Sequence, residues 1–239
     1  MKKLIALLLA LSMAFAMVAC GSNNSGNTTG NDANTTGGNT TNDTGDTSGD
    51  AETESDLAYV QDKGTLVVGI TYFDPMDYKE EGSDEWVGFD ADMAKAFAEN
   101  LGVEVEFQEI TWDYKVEELN SKAIDCVWNG MTLNDEVQAA MSTSVPYCTN
   151  YQVLVVPAGR AADFEGLTSL EGLNIAVESG SAGEEAAAAL GATTVPVQAQ
   201  ANALMEVSAG TSDAAVIDFL MADSMVGEGT NYADLTYTL

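Results

Sequence analysis

The 239-residue chain contains no histidine, and its 8 basic residues face 38 acidic ones, for a formal net charge of −30. Histidine is the commonest general base and metal ligand, so its absence excludes Ser-His and Cys-His catalysis. A chain so poor in lysine and arginine has no clustered positive surface to hold phosphates, and nucleic acid is excluded as a partner. Arginine occurs once, as Arg160, and cysteine three times, as Cys20, Cys126 and Cys148. After Val18 no apolar run is long enough to span a bilayer, which counts against a sensor carrying its own membrane segment and signalling domain. No nucleophile motif or metal-ligand cluster replaces the missing histidine, so catalytic residues, metal and cofactor are all expected to be absent. Most of the acids serve as a solubilising shell.

The N-terminus sets the compartment. Lys2 and Lys3 precede an apolar stretch from Leu4 to Val18, the layout of an export signal over residues 1–20. Cys20, followed by Gly21-Ser22, resembles the lipobox of bacterial lipoproteins, although Met17 stands where such boxes usually carry leucine. The resemblance implies lipidation of Cys20 and a place on the extracytoplasmic face of the cell membrane; an ordinary secretory signal with an incidental cysteine is the alternative. Residues 21–55 hold only Gly, Asn, Thr, Ser, Asp, Ala and Glu. Such a segment cannot bury enough apolar surface to offset its ordering entropy, and it reads as a disordered tether with ends on the order of 30 Å apart. With Cys20 assigned to lipid, Cys126 and Cys148 could pair outside the cell or remain buried free thiols, and spacing does not decide.

From Asp56 the pattern becomes α/β. Thr65–Ile70 reads as a buried strand, and Asp90 as the N-cap of a helix with Met93, Ala94, Phe97, Ala98 and Leu101 on its apolar face and Gly102 as its stop. Val103–Phe107 and Ile124–Trp128 read as strands around a short helix from Asp113, and Tyr151–Val156 as a strand crossing out of this unit. The pattern then repeats: strand Leu173–Val177, helix Gly183–Leu190, strand Thr193–Val197, helix Ala201–Val207 ended by Gly210, and strand Ala214–Ile217. Two such runs predict two α/β lobes with mostly parallel sheets, over residues 56–150 and 151–239, with a ligand cleft between them.

Several blocks carry a resemblance. Trp86-Val87-Gly88-Phe89-Asp90-Ala91-Asp92-Met93-Ala94, Thr111-Trp112-Asp113, Asn129-Gly130-Met131-Thr132, Val145-Pro146-Tyr147, Glu178 to Glu184 and Ser212 to Asp218 follow in the order and spacing of amino-acid-binding receptors of ABC importers. The chain therefore resembles the family 3 solute-binding proteins. The resemblance implies a two-lobed type II periplasmic-binding-protein fold, the Venus flytrap, which closes on a solute and hands it to ABC permease subunits. It implies a non-enzymatic monomer that takes an amino acid or another amine. A dehydratase-like enzyme of the same fold, or an extracellular sensor module, is the alternative.

By the same resemblance, Phe73 packs on the ligand, Gly130, Met131 and Thr132 meet its carboxylate, Ser181 and Ala182 offer a helix start to the anion, and Asp218 holds the ammonium. Each position has a plainer reading: core packing for Phe73, a strand-to-helix turn for 130–132, a helix cap for Ser181, and a structural aspartate for Asp218. A carboxylate ending the apolar strand 214–217 is costly unless paired, which favours a ligand there. Asp74 and Asp77 join Asp218 as candidate cleft acids for a cationic solute. Two departures stand out. Val137 occupies the place of the family's carboxylate-binding arginine, a contact that lysine does not replace in kind. Residues 234–239 read as a strand in progress, where family members continue for several dozen residues; a missing return segment is expected to expose apolar surface and lower stability.

Overall fold

The structure, a computed structural model, describes residues 55–238. The export signal, Cys20 and all of the expected tether except Ser55 lie outside the described residues. Ser55 caps helix α1 (Asp56–Lys63) by accepting the Ala58 N–H at 3.2 Å, and Gly64 closes it in the left-handed region. Strand β1 (Thr65–Ile70) follows, with Val68 and Ile70 fully buried. A short antiparallel hairpin of β2 (Tyr78–Lys79) and β3 (Trp86–Val87) leads into α2 (Phe89–Leu101) and β4 (Glu104–Glu109). A 3-10 turn at Trp112–Tyr114 runs into α3 (Lys115–Asn120), followed by β5 (Cys126–Val127) and α4 (Asp135–Ala140). The first sheet has the order β4-β1-β5 and is parallel throughout. Ala94 and Ala98 let α2 lie close on Leu66 and Val68.

The second half contains β6 (Gln152–Pro157), α5 (Ala161–Phe164), β7 (Asn174–Glu178), α6 (Ala182–Ala189), β8 (Thr193–Val197), α7 (Gln200–Ala209), β9 (Ala214–Asp218), α8 (Phe219–Met225) and β10 (Leu235–Thr238). Its sheet order is β10-β6-β9-β7-β8, and it shares no strand with the first sheet. The expectation of mostly parallel sheets holds, with the first sheet wholly parallel and the second mixed. β7 is parallel to β8 and β9, but β6 runs antiparallel to both β9 and β10. β6 enters directly from the first half rather than through a crossover helix, so nothing constrains it to the parallel direction.

Two further details depart from the sequence reading. Helix α2 is capped by Gly88, not Asp90, which sits in the first turn and is 1% exposed. The cause lies in the backbone: the Asp90 N–H donates to the Met76 carbonyl at 2.9 Å, holding the helix start against the 73–77 turn. Phe97 lies not in the core but 46% exposed, leaning edge-on against Trp128 with ring centroids 5.6 Å apart. Cys126 and Cys148 are both free thiols, and burial pushes the Cys126 thiol up to about 12.

Gly88 has φ 117°, and a Cβ there would lie 2.4 Å from the Met76 carbonyl oxygen. A backbone oxygen cannot swing aside as a side chain can. Gly88→Ala therefore combines a strained dihedral with a backbone clash, and should lower unfolding stability by about 3 kcal/mol in urea titration.

Candidate functional site

A cavity of about 710 Å³ is lined from both halves. On the first-half wall, the buried Asn129 side chain accepts the Thr71 N–H at 2.8 Å and donates to the Thr71 hydroxyl at 2.7 Å. This clamp fixes the segment after β5 to the end of β1, so Gly130, Met131 and Thr132 reach the cavity from a rigid base. Gly130 has φ 59°, and a Cβ there would meet the Phe73 ring at 2.8 Å. Only glycine lets this backbone pass so near the ring. Trp112 and Lys115, at the entry to α3, complete this side.

On the second-half wall, Asp218 ends β9 at 8% exposure. Its carboxylate accepts from the amides of Asn150, Gln152 (2.7 Å) and Gln200 (2.6 Å), and its own N–H donates to Gln200 Oε1 at 2.8 Å. Burial pushes its pKa up against the pull of those amides. Glu178, ending the neighbouring β7, is 3% exposed and is pushed up to about 8, first by burial and then by the Asp218 charge. Among the described residues, the buried Glu178 Oε1 on this wall has no hydrogen-bond partner; Gln152 Oε1, also unpartnered, lies off the wall, 3.1 Å from where a Cβ on Gly183 would sit. The corner is thus rich in acceptors and short of donors.

The cavity charge follows the same bias. Asp113, Glu117 and Glu136 line it from the first half, and Glu178, Glu184, Glu185 and Asp218 from the second, against Lys115 as the only basic side chain in the wall among the described residues. The halves meet across it: Lys115 Nζ donates to the Gly180 carbonyl at 3.0 Å, and Asn134 to Glu185 at 3.2 Å. Gly180, with φ 69°, passes so close to Asp113 that a Cβ would lie 2.6 Å from its Oδ1. Among the described residues no group of three or more His, Cys, Asp or Glu side chains is placed to hold a metal.

Of the sequence-derived site residues, the cavity wall brings together Gly130, Met131, Thr132, Ser181, Ala182 and Asp218, with Val137 beside them. Ser181 also caps α6, accepting the Glu184 N–H at 3.2 Å. Phe73 and Asp77 do not reach the wall. Phe73 is 2% exposed and packs behind Gly130 in a core shared with α8, where a fully apolar ring is best buried. Asp77 is fully buried facing Asp90. Asp74 turns away to accept the Ser224 hydroxyl at 2.6 Å. Trp112, Lys115 and Glu178 were not read from the sequence. Glu178 carried the same signal as Asp218, a carboxylate closing an apolar strand.

The sequence profile of the bacterial extracellular solute-binding proteins, family 3, matches residues 66–210. The chain belongs to that family. This family 3 protein is similar to the arginine-binding extracellular protein ArtP of Bacillus subtilis, at 30% identity over 93% of the chain and 75% of ArtP. It is also similar to the L-cystine-binding protein TcyA of the same organism, at 29% identity over 89% of the chain and 71% of TcyA. Among solved structures, a P235GK mutant of ArgBP from T. maritima aligns with a TM-score of 0.69 at 30% identity, covering 76% of this chain and 79% of that one. The fold is that of the type II periplasmic binding proteins. Among the described residues, no helix is long and apolar enough to cross a membrane.

The Asp77 carboxyl, pushed up to about 8 by burial and by Asp90, gives the family 3 protein a built-in pH response. The folded chain keeps a proton that the unfolded chain gives up near the ordinary value of 3.8. The stability tied to that proton is complete at acid pH and lost as pH rises through about 8. Thermal melts of ligand-free protein should fall steadily across this window, and Asp77→Asn should flatten the slope.

Proposed function

We propose that this protein captures a basic amino acid between its two lobes, with bounds near 56–150 and 151–239, and delivers it to an ABC permease. It acts as a binding protein rather than an enzyme, held at the outer face of the cell membrane by lipid on Cys20. The observation that carries the reading is the donor-poor corner at Asp218. Two carboxylates, Glu178 and Asp218, line it there, and among the described residues the buried Glu178 Oε1 has no hydrogen-bond partner. An ammonium or guanidinium supplies the missing donors and offsets the buried charge. Gly130, Met131, Thr132, Ser181 and Ala182 supply backbone and hydroxyl contacts.

The arginine-binding relatives support this reading, but sequence similarity alone does not select the ligand, since a cystine-binding relative matches almost as well. The cavity charge favours a basic amino acid. Opening the lobes would break the Lys115–Gly180 and Asn134–Glu185 contacts, and a ligand bridging both walls adds its own contacts to theirs in the closed form.

Titration calorimetry against arginine, lysine, ornithine, putrescine, cystine and glutamate tests the reading. Basic amino acids should bind tightest. Asp218→Asn should weaken them by about 100-fold, as expected for losing one partner of a buried charge pair. Tight binding of glutamate or cystine alone would overturn the proposal.

A further inference from the structure

An amino acid brings a carboxylate as well as a cation into a wall that already carries seven carboxylates, from Asp113 to Asp218. Without a positive group at the point of contact, that second charge is repelled and loses its hydration uncompensated. Among the described residues the wall offers a single basic side chain. Lys63, Lys79, Lys95 and Arg160 each pair with a described acid within 4.0 Å, whereas Lys115, like Lys122, pairs with none of them, and Lys115 does so inside an acidic wall. Its ammonium is held by neutral groups instead: the Gly180 carbonyl at 3.0 Å and the Trp112 carbonyl at 3.3 Å, with the Trp112 ring centroid 4.9 Å away. Two carbonyls occupy two of the three ammonium N–H groups.

We propose that Lys115 is the counter-ion for the ligand's carboxylate and so selects amino acids over simple amines. The position fits the geometry of such a ligand. Gly180, which anchors the ammonium, lies two residues beyond Glu178, so a cation and the donor-poor corner sit side by side. An α-amino acid needs this arrangement, because its ammonium and carboxylate share one carbon. Burial pulls the Lys115 pKa down while Glu136, Asp113, Glu178 and Glu117 oppose it, so an arriving carboxylate meets a partly desolvated charge. Such a charge binds more strongly than a fully hydrated one.

The assignment rests on the reading of the ligand as a basic amino acid, and the test separates the two. Calorimetry compares arginine with its decarboxylated analogue agmatine, and lysine with cadaverine. The wild-type protein should prefer the amino acid by about 10- to 100-fold, the range for a charge-assisted bond to a partly buried ion. Lys115→Gln keeps a donor for Gly180 and should lose that preference, with arginine weakened and agmatine bound no more weakly than by the wild type. Lys115→Arg should keep it within a few-fold. Equal wild-type affinity for arginine and agmatine overturns the assignment without any variant. An equal loss of both ligands in Lys115→Gln overturns it too, making Lys115 a contact between the halves only. If the wild type binds no basic amino acid, the underlying reading fails and the assignment falls with it.

Discussion

A carboxylate buried at the end of β9 constrains the whole second half of the molecule. Asp218 can sit at 8% exposure only because amides from Asn150, Gln152 and Gln200 converge on it. Those three residues come from the entry to β6, from β6 itself and from the start of α7. One charge therefore ties together the strand that arrives from the first half, the central strand and the helix that covers them. An uncompensated buried carboxylate would cost several kcal/mol, so the three amides are fixed in place rather than free to rotate. Gln200 both donates and accepts, its Oε1 taking the Asp218 N–H at 2.8 Å. The same convergence sets Asp218 on the cavity wall beside Glu178, whose buried Oε1 has no partner among the described residues.

The first half reaches the same cavity by different means. Its contribution is mostly backbone, brought close by glycines at Gly130 and, across the seam, Gly180. The Asn129–Thr71 clamp replaces a longer strand: β5 has only two residues, so side-chain hydrogen bonds carry the positioning that a ladder would otherwise supply. Behind this wall Phe73 acts as a stop. It fills the space next to Gly130 and extends the core into α8, giving the halves a shared apolar contact near Met221 and Met225.

Much of this was legible in the sequence where the signal was local. Gly102 and Gly210 end their helices in the left-handed conformation, as glycines after an apolar stripe should. Asp218 stood out because a carboxylate cannot end a buried strand without partners. The partners themselves were not legible: Gln200 lies 18 residues away and Gln152 lies 66 away, and no spacing rule reaches so far. Phe73 and Asp77 were misplaced for the opposite reason. Both sit in a loop beside a strand end, where sequence cannot tell whether a side chain turns toward a cleft or a core. Lys115 was invisible because an exposed-looking lysine at a helix start gives no signal until the facing wall is known to be acidic.

Glu178 and Asp218 end neighbouring strands in one buried corner. Burial raises both carboxyl pKa values, Glu178 to about 8, and the Asp218 charge adds to the rise at Glu178. Two carboxyls so placed titrate as a pair, because a second full charge beside the first is desolvated and repelled. The corner therefore favours whatever supplies donors and positive charge to it, a proton or a cationic group alike.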